Sequence, residues 1–213
     1  MKTDDLIAAL AHDVEPAPPH AVARRIGVGI ALGAVLSTAI LFLWLGVRPD
    51  LMPAMATGPF WMKFAYVLSL AALGFGLIDR LARPDGDGAV FAKLIIVPMV
   101  VMAALAVYQL AGASGDLRLT MLLGGSYRVC ALNIVIVSSP VFVGVIWAMR
   151  SLAPTRLALA GAAAGVLAGA VGAFIYAFHC TEVAAPFMSI WYTMGIALVG
   201  IVGALLGRSI LRW

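Results

Sequence analysis

Six runs of about twenty apolar residues, joined by short polar stretches, sharply restrict how this chain can fold. They fall near residues 26–47, 60–78, 94–112, 130–149, 157–178 and 188–207. A helix needs about 20 such residues to cross the hydrocarbon core of a bilayer, so each run reads as a span. None has the two-residue alternation of a membrane β-strand. Only 11% of the 213 residues are charged, against about 25% in a typical soluble domain, so lipid is the expected solvent. The expected fold is all-α, a bundle of six transmembrane helices. Pro98 and Pro140 lie inside the third and fourth runs and read as kinks, because neighbouring helices can satisfy the backbone groups a proline frees. The fourth run is the most polar, with Asn133, Ser138 and Ser139. The first run follows Arg24 and Arg25, yet it is too long for a signal-peptide core and no small-residue cleavage site precedes Arg48. It is expected to remain as a helix.

Basic residues set the orientation. With six spans both ends of the chain share one side, which then holds ten of the lysines and arginines: Lys2, Arg24, Arg25, Arg80, Arg83, Lys93, Arg150, Arg156, Arg208 and Arg212. The other side holds four: Arg48, Lys63, Arg118 and Arg128. Positive charge stays in the cytoplasm, so both termini are expected there. The formal charge of +4 is explained by this placement at span ends, and no direct contact with nucleic acid is expected. The outer connections are then 48–59, 113–129 and 179–187, all short. No ionisable group falls near mid-depth, and Lys63 near the outer end of the second run is expected to snorkel to water. That argues against an ion-coupled transporter or pump. No phosphate loop, haem-type histidine pair or zinc-protease motif is present, so no enzymatic activity is expected.

The two cysteines fall at matched outer positions, Cys130 opening the fourth span and Cys180 following the fifth. The local sequences are Gly124-Gly125-Ser126-Tyr127-Arg128-Val129-Cys130 and Phe178-His179-Cys180-Thr181-Glu182. A cation such as Arg128 or protonated His179 favours the thiolate and makes a thiol reactive. Cys130, Cys180 and His179, with Glu182 nearby, could hold a soft metal ion such as Zn or Cu(I); no other cofactor is expected. A structural disulfide, a redox or metal sensor and an unrelated thiol pair all fit these residues. Gly161, Gly165 and Gly169 recur every four positions in the fifth span, as do Gly29 with Gly33 and Gly203 with Gly207. Small residues at this spacing let helix backbones approach closely, and packing within one bundle is expected. Close packing of the fifth span on the fourth would bring the cysteines within the Cα separation of about 4.4–6.8 Å that a disulfide needs.

Residues 1–23 form a separate unit ahead of the 24–213 bundle. Thr3 reads as a helix N-cap, with Asp4 and Asp5 in the first turn where the helix dipole favours acid. Leu6, Ile7, Leu10 and Val14 recur on one helical face. Pro16, Pro18 and Pro19 end the helix and stiffen the tether to the membrane. Asp4, Asp5, Asp13 and Glu15 against Lys2 alone disfavour anionic lipid, since surface helices are usually basic. A segment that folds in the groove of a partner protein fits better.

These residues resemble the NrsF-type inner-membrane anti-sigma factors. The resemblance is carried by Met1-Lys2-Thr3 with Leu6-Ile7 and Leu10-Ala11, by Arg128-x-Cys130, and by Arg150-x-Leu152-Ala153-Pro154-Thr155-Arg156. His179-Cys180-x-Glu182 and Trp191-Tyr192-x-x-Gly195-Ile196 carry it further. It covers nearly the whole chain and implies a six-helix protein of the bacterial inner membrane. Such proteins hold an extracytoplasmic-function sigma factor inactive and release it under heavy-metal or oxidative stress, such as chromate or cadmium. The resemblance also implies that two cysteines are needed for the response, by position Cys130 and Cys180. A small transporter or metal exporter, or a thiol-redox membrane protein, is the alternative.

Overall fold

The computed structural model describes residues 3–12, 18, 20–84 and 86–212. Lys2, Asp13, Val14, Glu15, Pro16 and Pro19, and the side chains of Leu6 and Leu10, lie outside the described set. Among the described residues every regular element is helical. A short helix, Thr3–His12, comes first and includes Thr3 itself as a helical residue. Six helices are long and apolar enough to cross a membrane: Ala21–Leu45, Gly58–Leu81, Ala89–Gly112, a fourth ending at Met149, Leu157–Tyr176 and Ala185–Ile210. The fourth proper is Tyr127–Met149. Two short helices, Leu51–Met55 and Gly115–Leu123, occupy connections that carry no such periodicity in the sequence.

The fifth long helix is the centre of the bundle. In its most apolar stretch 67% of residues are buried, against 11% in the third, which lies at the periphery. It packs against the second, fourth and sixth, while the first packs mainly on the fourth. Glycine makes these approaches possible. A side chain at Gly161 or Gly165 would run into the backbone of Gly203, Gly207, Val199 and Gly200 in the sixth helix. The repeat every four residues therefore faces the sixth helix, and Gly172 faces Ser138 of the fourth. Gly29 and Gly33 of the first helix meet Gly144, Pro140 and Val141 of the fourth in the same way.

Both prolines perturb their helices as their chemistry requires. Pro140 stays inside the fourth helix and leaves the Ile136 carbonyl without its helical donor. The Ser139 hydroxyl donates to that carbonyl at 2.8 Å. Ser138 likewise donates to Ile134 O at 2.6 Å, so both serines of this run are satisfied within it. Pro98 would clash with the carbonyl four residues back, Leu94, and the helix is interrupted there, between Leu94 and Ile96. Outward-facing Val35, Leu43, Leu132 and Leu205 are all more than half exposed, an apolar exterior compatible with lipid.

Candidate functional site

At one end of the bundle the connections after the first, third and fifth long helices converge. The fifth helix ends in a tightening turn, with Phe178 N–H donating to Ile175 O and both His179 and Cys180 N–H donating to Tyr176 O. This turn carries Cys180 back toward the fourth helix, where Cys130 lies one turn from the N-terminus. Both are buried free thiols, 0% and 3% exposed. The two thiols stand beside each other. Phe60, Phe64, Tyr176, Phe187 and Tyr192 share the same cluster. The Tyr176 hydroxyl lies between Asn133 and Cys130. Tyr192, from a wide π turn at Met188–Tyr192 of the sixth helix, stands beside Cys180.

The strongest charge at the pair is one assigned to the wrong environment from sequence. Lys63 does not snorkel: it is 0% exposed, and its ammonium donates to the Cys180 carbonyl at 2.7 Å. It also stands over the Tyr192 ring, 5.9 Å from its centre. Arg48 donates to the same carbonyl through one terminal nitrogen at 3.2 Å. Its other nitrogens grip Asp50 by two bonds of 2.7 Å. That carboxylate raises the Arg48 pKa, and the guanidinium in turn lowers that of Asp50. The Cys180 thiol is held below the usual thiol range, first by the neighbouring Cys130 thiol and then by the charge of Lys63.

The other expected residues are distributed around this centre. His179 places Nδ1 2.9 Å from Gly46 O, tying its turn to the end of the first helix. Glu182 accepts from the Gly125 N–H at 2.7 Å. Its carboxyl fills the space over Gly124, whose φ of +55° suits glycine. Arg128 does not reach the thiols; it is exposed, with Nε donating to Tyr127 Oη at 2.8 Å. Among the described residues no three His, Cys, Asp or Glu side chains converge as a metal site, so Cys130 and Cys180 meet while His179 is held apart by Gly46. A cleft of about 300 Å³ leads to Cys180 between Arg48, Ser126, Tyr176, His179 and Thr181. At the start of the chain Asp4, Asp5 and Ile7 are exposed on the Thr3–His12 helix.

Lys63, Arg48, Tyr176 and Tyr192 are the site residues that sequence reading missed. One signal could have flagged Lys63, since an ionisable residue inside an apolar run is a candidate functional residue.

Comparison with known proteins adds a further finding. The family described as "Negative regulator of sigma F", NrsF, matches residues 10–213. The "Probable anti-sigma-F factor NrsF" of Azospira oryzae is 39% identical over 213 residues, covering the whole of both chains. The "Anti-sigma-F factor NrsF" of Caulobacter vibrioides is 40% identical over 222 residues, again covering both completely. No solved structure matches.

Proposed function

The chain belongs to the NrsF family, and on that premise we propose that it is an anti-sigma factor of the bacterial inner membrane. In this reading it sequesters an extracytoplasmic-function sigma factor and releases it on heavy-metal or oxidative stress sensed by a periplasm-facing Cys130–Cys180 pair. Full-length likeness to proteins named anti-sigma-F factors is the observation that carries it. The sensing half draws support from the meeting of the chain's two cysteines in a packed aromatic cluster. Both termini are cytoplasmic. Leu6, Ile7 and Leu10 enter a groove on the sigma factor, while Asp4 and Asp5 complement its basic DNA-binding surface. The protein itself touches no DNA and performs no catalysis; its solvent is lipid.

Release requires two bundle states with different affinities for the sigma factor. Taking it from 1:99 to 99:1 free needs a bias of about 5.5 kcal/mol. A new disulfide or a captured soft metal ion supplies energy of that order.

A pull-down from detergent extract tests the partner. Full-length protein should retain the sigma factor, and a variant lacking residues 2–14 should not; retention by the truncated form would move the contact to residues 79–93 or elsewhere. Cys130→Ser and Cys180→Ser test the sensor through a sigma-dependent reporter. An unchanged stress response in both would remove the thiols from the mechanism.

A further inference from the structure

We propose that Lys63 transmits a change at Cys180 to the second long helix, through the Cys180 carbonyl. The proposal rests on the thiol-sensing reading above and assigns it a route.

Cys180 faces two directions. Its thiol looks toward Cys130 on the fourth helix, whereas its carbonyl accepts from Lys63 of the second helix and from Arg48 just after the first. The same turn is tied to the end of the first helix twice more. Arg48 N–H donates to Phe178 O at 3.0 Å, and His179 Nδ1 lies 2.9 Å from Gly46 O. Sulfur and carbonyl share one Cα, so chemistry that draws the thiol toward Cys130 or away from it also displaces the carbonyl.

Lys63 cannot ignore that displacement. An exposed lysine would exchange its partner for water, but Lys63 is 0% exposed. Among the described residues the Cys180 carbonyl is its one oxygen partner. A buried ammonium that loses its acceptor is stranded in a low dielectric, which is strongly unfavourable. The second helix must therefore follow the carbonyl or hold it in place. Stability alone does not call for a lysine here, since replacing a buried ionic group by an apolar one of similar volume is often neutral when no partner is left unsatisfied. Arg48 would still satisfy the Cys180 carbonyl if Lys63 were apolar. Lys63→Met should therefore fold while losing the link.

The test compares wild type, Lys63→Met, Lys63→Arg and Cys180→Ser in cells carrying a sigma-dependent reporter. Diamide serves as the thiol oxidant, and mass-tag alkylation measures the state of the thiols. Lys63→Met should accumulate at the wild-type level and repress fully at rest. Without the Lys63 charge its thiols should react more slowly, yet at a diamide dose that brings them to the wild-type extent of modification it should still lose induction. Lys63→Arg, which keeps both charge and donor, should restore induction. Normal induction in Lys63→Met, or release at rest without oxidant, would overturn the proposal. If Lys63→Met fails to accumulate, Lys63→Leu, which likewise carries no donor, replaces it with the same expected loss. Cys180→Ser separates the two claims. Should it still respond to diamide, the thiol reading fails; should it fall silent while Lys63→Met responds normally, only the role of Lys63 fails.

Discussion

Replacing Gly33 by valine should prise the first long helix from the fourth. A Cβ built at Gly33 would lie 2.7 Å from the Pro140 carbonyl oxygen and 2.8 Å from the Val141 nitrogen. Ordinary contact at such atoms begins at about 3.4 Å, so the helices must separate by roughly 0.7 Å or more. The opposing atoms are backbone, and no side chain can swing aside. Overpacking of this kind costs about 1–3 kcal/mol, and a gap of that width forfeits about a quarter to a half of the dispersion energy along the seam. In equilibrium terms the range is about 5- to 150-fold. Gly27 provides the control, because a Cβ there meets nothing within 4 Å. Both substitutions raise helix propensity alike, which removes that contribution from the comparison. Thermal unfolding in detergent should show Gly33→Val melting several degrees below Gly27→Val. In unstressed cells the sigma-dependent reporter should rise for Gly33→Val alone. Equal melting of the two variants would refute the close seam between the first and fourth helices.

Three further substitutions address the site and its supports. Gly124→Ala combines a positive φ with a Cβ that would abut the Glu182 carboxyl; a loss of about 1–3 kcal/mol is expected, visible as faster proteolysis of the 113–126 connection. Ser139→Ala leaves the Ile136 carbonyl without the hydroxyl that serves it and should lower stability by about 1 kcal/mol in the same melting assay. Cys130→Ala removes the leading cause of the lowered Cys180 pKa. In wild type the Cys180 thiolate therefore persists to lower pH than an ordinary thiolate, and in the variant the pH profile of maleimide labelling should move upward. An unmoved profile would show that Cys130 does not hold the Cys180 pKa down.

Long-range apolar runs made the six helices readable, because length and hydropathy are local properties of a chain. Their partners were not, since the glycine repeat of the fifth helix announces a close approach without naming the sixth as its object. Leu51–Met55 and Gly115–Leu123 are too short to show a period. Matched depth anticipated the meeting of Cys130 and Cys180. Adjacency in sequence misled at Arg128, because residues two apart on a helix point to different faces. Lys63 was misread for a different reason. A lysine near the end of an apolar run fits snorkelling and burial equally well, and the acceptor that decides between them lies 117 residues further along the chain.

That separation bears on how the molecule is made. The Cys180 carbonyl does not exist when the second helix leaves the ribosome, and at about 5–20 residues per second its arrival is delayed by roughly 6–23 s. Until then the Lys63 ammonium lacks that acceptor and is left to water, as its position near a helix end permits. Its withdrawal into the core thus waits on the hairpin of the fourth and fifth helices. Closure of the cluster around Cys130 and Cys180 is a late event in biogenesis, and a chain truncated before Cys180 should leave Lys63 open to amine-reactive labels.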